Sequence, residues 1–352
     1  MCEGLMATTY GVEIESFGLT EQELRTTLTG IKGQDQDSQI MYDGHHSYHY
    51  YTRYVRTTRE HANGHQDTWI SESDSSITNN IGRGMAHEVI SPIMVGQQGL
   101  ATVRRVMKAL HRAGARTNGS CGTHLTVGIK NSSARVRRMG AGNLAQRIGR
   151  LVDAYDYFYE GAFCRLVSPS RRNGAPEIRA LMRAGIISND YGGARINYNS
   201  YIPNTYGTGT KSHYQRMLAQ GVGRGCVNLA GFATHGVIEF RQHNGTLNGH
   251  DISNWAGLIQ KLVSWAINDE HINNGCDIRS FPPTLNGLMN MLNIGSDLRT
   301  ALLAREAKVG TRGHQMNNMT NWAIHNAFME GNITAGMNDT IVHQATINGG
   351  DF

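Results

Sequence analysis

Residues 237 to 248 read Val-Ile-Glu-Phe-Arg-Gln-His-Asn-Gly-Thr-Leu-Asn, with Glu239 and Arg241 carrying opposite charges inside a run that is otherwise strand-like. Side chains alternate across a strand, so positions 239, 241 and 243 are expected on one face, offering a carboxylate, a guanidinium and an imidazole together. Ile238 and Phe240 on the back face would pack on a core, and Asn244-Gly245 supplies a turn signal. Taken alone, the triplet reads either as a metal and phosphate site or as a salt bridge on a sheet surface.

Other segments weigh on that choice. Tyr10 to Glu15 reads Tyr-Gly-Val-Glu-Ile-Glu, a strand with Glu13 and Glu15 on one face and Val12 and Ile14 on the other. Two carboxylates so placed repel each other unless a cation or a shared proton lies between them. In Ala86 to Ile93, a strand ending at Pro92, Glu88 is polar among apolar neighbours. In Cys121 to Val127, His124 points to the side of Gly122 and Thr126 and away from Leu125. Together Glu13, Glu15, Glu88, His124 and Glu239 form a carboxylate-rich set with one imidazole, which suits Mg²⁺ or Mn²⁺ held with nucleotide phosphates better than structural zinc.

These segments, in the order Gly-Val-Glu-Ile-Glu, Glu-Val-Ile-Ser-Pro-Ile, Cys-Gly-Thr-His-Leu-Thr-Val and Val-Ile-Glu-Phe-Arg-Gln-His-Asn-Gly-Thr-Leu with Trp255 following, resemble the amidoligase family, from about residue 8 to about residue 268. That family is related to carboxylate-amine ligases of the glutamine synthetase and glutamate-cysteine ligase type. The resemblance implies an α+β fold in which a curved, mainly antiparallel sheet surrounds the site and helices pack on its outer face. It implies an ATP-dependent ligase that phosphorylates a carboxylate and lets an amine displace the phosphate, releasing ADP. Glu13, Glu15 and Glu88 would then be metal ligands, and His124 and Glu239 would hold the metal bridging the nucleotide phosphates. Arg241 would clamp the transferring phosphoryl group, and Asp74 would lie near the substrate amine or a metal. Arg171 and Arg172 fall where relatives also place arginine, and would meet phosphate or substrate carboxylate. Relatives commonly carry a second histidine where this chain has Thr126.

The chemistry is sensible for these residue types. A carboxylate and ATP are both anionic, so bringing them together needs cations and a guanidinium whose planar fork can hold two phosphoryl oxygens. The amine must be neutral to attack, and an acidic side chain such as Asp74 could take its proton.

The chain of 352 residues is long enough for a sizeable core. Its formal charge of +5 is a mild excess that does not require nucleic acid as a partner. Arg104, Arg105, Lys108, His111 and Arg112 fall on a helical segment whose Leu100, Val103, Met107 and Leu110 keep the 3.6-residue period, so the charges are expected on its solvent face. Five cysteines without a Cys-x-x-Cys pair point to reduced thiols in the cytoplasm. No apolar run approaches membrane-spanning length and no signal peptide is expected at the N-terminus.

Along the chain, Thr20-Glu-Gln-Glu23 predicts a capping box and a short helix ended by Gly30, followed by loop from 31 to 47 and a strand over Tyr48–Val55. Helices are expected over about 98–113 and 143–164, and another capped by Asp251. Residues 186–225 read as an extended loop, within which Gly207 to Ser212 fails as a phosphate loop because Thr210 stands where glycine must precede Lys211. The domain division expected is 1–268 as the catalytic unit and 269–352 as a helical extension with a Gly/Asn-rich tail.

The functional reading is a carbon-nitrogen ligase using ATP and Mg²⁺ or Mn²⁺ on a carboxylate-bearing and an amine-bearing substrate, a peptide among the candidates. An oligomer or a partner protein is compatible with it. Two alternatives stand beside it: an altered or inactive amidoligase-fold binding or assembly protein, suggested by Thr126, and a metal-dependent hydrolase using Glu13, Glu15 and His124. A Cys121–His124 nucleophile pair is disfavoured, because the two would face opposite sides of a strand.

Overall fold

The computed structural model describes residues 9–34, 39–46, 68–129, 141–168, 171, 226–228, 237–267 and 277–310. Its centre is a mixed, mostly antiparallel sheet of eight strands: β1 (Thr9–Leu19), β2 (Met41–His46), β3 (Thr68–Ser73), β4 (Met85–Ile90), β5 (Met94–Val95), β6 (Gly122–Gly128), β7 (Val227–Asn228) and β8 (Val237–Asn244). The spatial order is β2-β3-β4-β1-β6-β8-β7, with β5 on β1, and only β2 and β3 run parallel. The architecture is therefore α+β with a mainly antiparallel sheet, as expected from the sequence.

The helices are α1 (Glu21–Leu28), α2 (Gly96–Ala113), α3 (Ala141–Tyr157), α4 (Gly249–Ile267), α5 (Leu285–Met291) and α6 (Ser296–Gly310). Thr20 caps α1 through the predicted capping box, its hydroxyl accepting from Glu23 N–H while the Glu23 carboxylate accepts from Thr20 N–H. In α2, Leu100, Val103, Val106, Met107 and Leu110 are buried while Arg105, Lys108, His111 and Arg112 are exposed, which is the amphipathic split its period predicts. The helix expected over 143–164 ends at Tyr157 and continues as a π-turn over Tyr159–Phe163. That turn keeps Tyr155 stacked on Phe163 at 3.9 Å between ring centroids.

Period-two alternation divides the sheet into two faces. Tyr10, Val12 and Ile14 of β1, Leu125 and Val127 of β6, and Ile238 and Phe240 of β8 are buried in one core with Val106 of α2, Tyr155 of α3 and Leu258 of α4. At about 25 cal/mol for each Å² of apolar surface removed from water, these side chains supply much of the drive to fold. Leu285, Leu288 and Leu302 of α5 and α6 belong to the same core. α6 is further fastened by Arg305, which donates to Leu166 O, to the Asp251 carboxylate at 2.7 Å and to Asn244 Oδ1 at 2.7 Å.

Three local expectations change. Residues 41–46, read as loop, form β2, because parallel pairing with β3 and a 2.7 Å hydrogen bond between Tyr42 Oη and Ser71 Oγ outweigh a run lacking apolar alternation. α4 begins at Gly249, so Asp251 lies in its first turn and serves Arg305 instead of capping the helix. The third concerns β8, where β6 residues Thr123 and Leu125 pair with His243 and Phe240, leaving one extra residue on β8. This bulge turns His243 off the face it was expected to share with Glu239 and Arg241. His243 is buried with its ring 5.2 Å from that of Trp255, and its Nδ1 donates to Asn244 O. Burial and then the nearby Arg305 charge push it down to about 3, so it is a neutral packing residue. The expected strand at 48–55, the 186–225 loop, the 268/269 boundary and the C-terminal tail lie outside the described residues.

Candidate active site

The face opposite the core gathers the charges. Glu13 and Glu15 of β1 point to it, and cross-strand register brings the rest alongside: Glu15 lies opposite Glu88 of β4, Glu13 opposite His124 of β6, and Thr126 opposite Glu239 of β8. Glu88 is in turn opposite Glu72 of β3, so Glu72, Glu88 and Glu15 form one row across three adjacent strands. Like charges directly opposite each other destabilise a sheet, and Glu72 and Glu15 are each only 4% exposed. Such a row is tolerable only with cations or protons among its members.

His124 sits at the centre, 1% exposed. Its Nδ1 lies 3.3 Å from Glu13 Oε2 and 3.5 Å from Glu239 Oε1, and its Nε2 lies 3.2 Å from Glu15 Oε1 without meeting hydrogen-bond geometry. Burial works against its charge, but Glu13 and Glu15 outweigh burial and push it up to about 10. Glu15 is also buried, yet His124, Arg171 and the Gly122 N–H keep its carboxyl below the usual range. Burial, followed by the Glu13 charge, pushes Glu88 up to about 9, and the same two causes raise Glu239. Among the described residues, Glu13, Glu15, Glu88 and Glu239 thus outnumber the cations His124, Arg171 and Arg241 that meet them.

Arg241 donates to Glu239 Oε1, and Asn228 of β7 donates to the other oxygen of the same carboxylate at 2.6 Å. Burial opposes the Arg241 charge, and Glu239 and Glu13 more than restore it. Arg171 reaches the opposite end of the site, donating to Glu15 Oε2 at 3.4 Å and to Ser120 O at 3.2 Å. It gets there past Gly122, where an added Cβ would stand 2.6 Å from its Nη2 and 3.0 Å from His124 Nε2. A glycine is required for that approach. Asp74 follows β3 at the rim, half-buried, with Oδ1 accepting from Ser76 N–H at 2.7 Å and its charge felt at Glu88. Arg172 lies outside the described residues.

Two sets of side chains place one ligand atom each within 4.8 Å of one another: Glu13, His124 and Glu239, and Glu15, Glu88 and His124. Oxygen-rich donors with one imidazole fit a hard divalent cation, and the buried Nε2 of His124, without a hydrogen bond, is an atom such an ion could satisfy. Glu72 stands opposite Glu88 on the next strand and was missed in the sequence reading. Ile70, Glu72 and Asp74 alternate with Trp69, Ser71 and Ser73, so strand period points to Glu72, whereas Asp74 is named from the family resemblance.

Comparison with known proteins sets this fold and acidic face within a ligase-type family. The model of a family described as "Putative amidoligase enzyme" matches residues 6–263, well over half of the chain. The chain belongs to that family, as the resemblance read from its sequence anticipated. No curated protein matches. Among solved structures, one titled "Apo GmaS without ligand" is similar at 13% identity with a TM-score of 0.28, covering 92% of this chain and 70% of that one. No described helix is long and apolar enough to cross a membrane.

Proposed function

We propose that the protein is an ATP-dependent carboxylate-amine ligase that forms an amide through an acyl phosphate. The observation that carries this reading is the convergence of Glu13, Glu15, Glu72, Glu88 and Glu239 with His124 and Arg241 on one sheet face. Glu13, His124 and Glu239 would hold Mg²⁺ or Mn²⁺ on one side of the imidazole, and Glu15, Glu88 and His124 on the other. The cations supply charge neutralisation between ATP and the substrate carboxylate.

The carboxylate oxygen attacks the γ-phosphorus, the bond to the β-phosphate oxygen breaks and ADP leaves. The amine then attacks the acyl carbon and inorganic phosphate leaves. Arg241, with 31% of its side chain exposed and its fork oriented by Glu239, steadies the phosphoryl oxygens as charge develops on them. Arg171 and Arg172 hold phosphate or the substrate carboxylate at the other end, and Asp74 at the rim accepts the amine proton. The catalytic unit is residues 1–268 and the remainder is an extension. Cys121, Cys164 and Cys226 are buried and form no disulfide among the described residues, which suits a reducing, cytoplasmic setting.

The test is titration with Mg-ATP followed by turnover with panels of carboxylate and amine donors. Binding and release of ADP with phosphate are expected. Glu239→Ala and Arg241→Ala should each lower turnover at least about 100-fold with circular dichroism unchanged. Production of AMP, or metal-dependent peptide hydrolysis in nucleotide-free buffer, would overturn the proposal. Failure of wild type to bind Mg-ATP favours the binding-module alternative that Thr126, facing Glu239, brings to mind.

A further inference from the structure

A second charged region lies away from the acidic face. The first half of α4 meets α2 closely enough that a Cβ on Gly249 would stand 2.6 Å from the Arg104 Cα. Beside this contact a groove of about 820 Å³ opens. Arg104, Arg105, Lys108 and His111 line it from α2, Arg116 from the segment beyond that helix, and His250 from the start of α4. Among the described residues, no aspartate or glutamate lines it and none of these side chains forms an ion pair with a carboxylate.

The hydrogen bonds that three of them make fix position without cancelling charge. Arg104 donates to Ser253 Oγ, Arg105 to the carbonyls of Lys32 and Gly33, and Arg116 to its neighbour Ala115 O. Each acceptor is neutral, so the guanidinium charges are not cancelled. A concave wall with one sign of charge focuses its field outward and draws an anion into it. Two of the guanidiniums are held in place before any ligand arrives, which lowers the entropy that binding must spend.

The form of the groove selects among anions. Positions 104 to 111 span about 10 Å along α2 at 1.5 Å per residue, too long for a single phosphate. An extended peptide presents every second side chain on one side, about 7 Å apart, so two carboxylates match the stripe. No Phe, Tyr or Trp lines the groove, which removes the stacking platform that single-stranded nucleic acid uses. We propose that this groove is a docking site for an extended acidic peptide segment, with carboxylates at alternate positions.

The docking requires neither ATP nor metal, so it is measurable whether or not the ligase reading stands. The probe is a fluorescein-labelled (Glu-Ser)4 peptide, followed by anisotropy in low salt without nucleotide or divalent ions. Binding is expected to be at least 10-fold tighter than for the (Gln-Ser)4 analogue and to weaken as salt rises. Lys108 and Arg116 are exposed and outside the acidic site, so K108E/R116E should fold as wild type by circular dichroism and bind at least 10-fold more weakly. Equal affinity for the two peptides, or unchanged affinity in the variant, would overturn the proposal. So would tighter binding of a single-stranded oligonucleotide that the same variant abolishes.

Discussion

The two faces of the sheet are built from the same strands and obey opposite physics. On the core face, neighbours in space are alike and attract: Val12 lies opposite Leu125, and Leu125 opposite Phe240. On the site face neighbours are again alike, but they repel: Glu15 lies opposite Glu88, and Glu88 opposite Glu72. The core face therefore supplies stability and the site face consumes some of it. β4 carries the contrast in adjacent residues, since burial lowers His87 to about 4 and raises Glu88 to about 9. Each buried group is driven toward its neutral form, and only the site face has reason to be recharged by a ligand.

The contrast can be broken experimentally, most severely at Phe240. This fully buried ring stands between Glu239 and Arg241 in sequence. Phe240→Ala should cost about 3 to 5 kcal/mol in denaturant unfolding. A loss below about 1 kcal/mol would mean that the core face does not carry the fold.

His87 gives the pH dependence. Its folded pKa is depressed, so the stability linked to keeping it neutral is complete above about 6.5 and is lost as pH falls toward about 4. Wild type should lose about 2 to 3 kcal/mol across that window relative to His87→Gln. Parallel pH profiles for the two proteins would show that His87 is not held neutral.

The smallest effect sharpens the comparison from the other side. Glu88→Gln removes one member of the carboxylate row, so metal-free protein should gain about 1 kcal/mol while its affinity for Mn²⁺ falls. A destabilised variant with unaltered Mn²⁺ binding would remove Glu88 from the site and the row from the argument.

Much of this two-sidedness was legible before any coordinates, because alternation needs only the sequence. Glu13, Glu15, His124, Glu239 and Arg241 were placed on their face by counting in twos, and Glu88 by standing polar among apolar neighbours. The bulge after Arg241 was not, since an extra residue on β8 is defined only by what β6 presents opposite it. Counting in twos therefore failed at His243. β2 escaped for a related reason: Met-Tyr-Asp-Gly-His-His has little strand propensity, and partners on β3, including both serines that bond the His45 ring, hold it in place. Glu72 was within reach by the same count but was not singled out, since Asp74 was named from the family resemblance and not from the strand period.

The guanidinium of Arg305 acts as a keystone. Its three acceptors, Leu166, Asn244 and Asp251, all come from the stretch that the family model matches, while the donor lies beyond it. Asn244 also receives the Ser168 N–H, and Ser168 O receives the Arg171 N–H. Trimming the chain to its family-matched length would keep every carboxylate of the acidic face and loosen the grip on one of its two arginines. The helix that looks like an appendix in sequence is, in space, part of the mounting for the site.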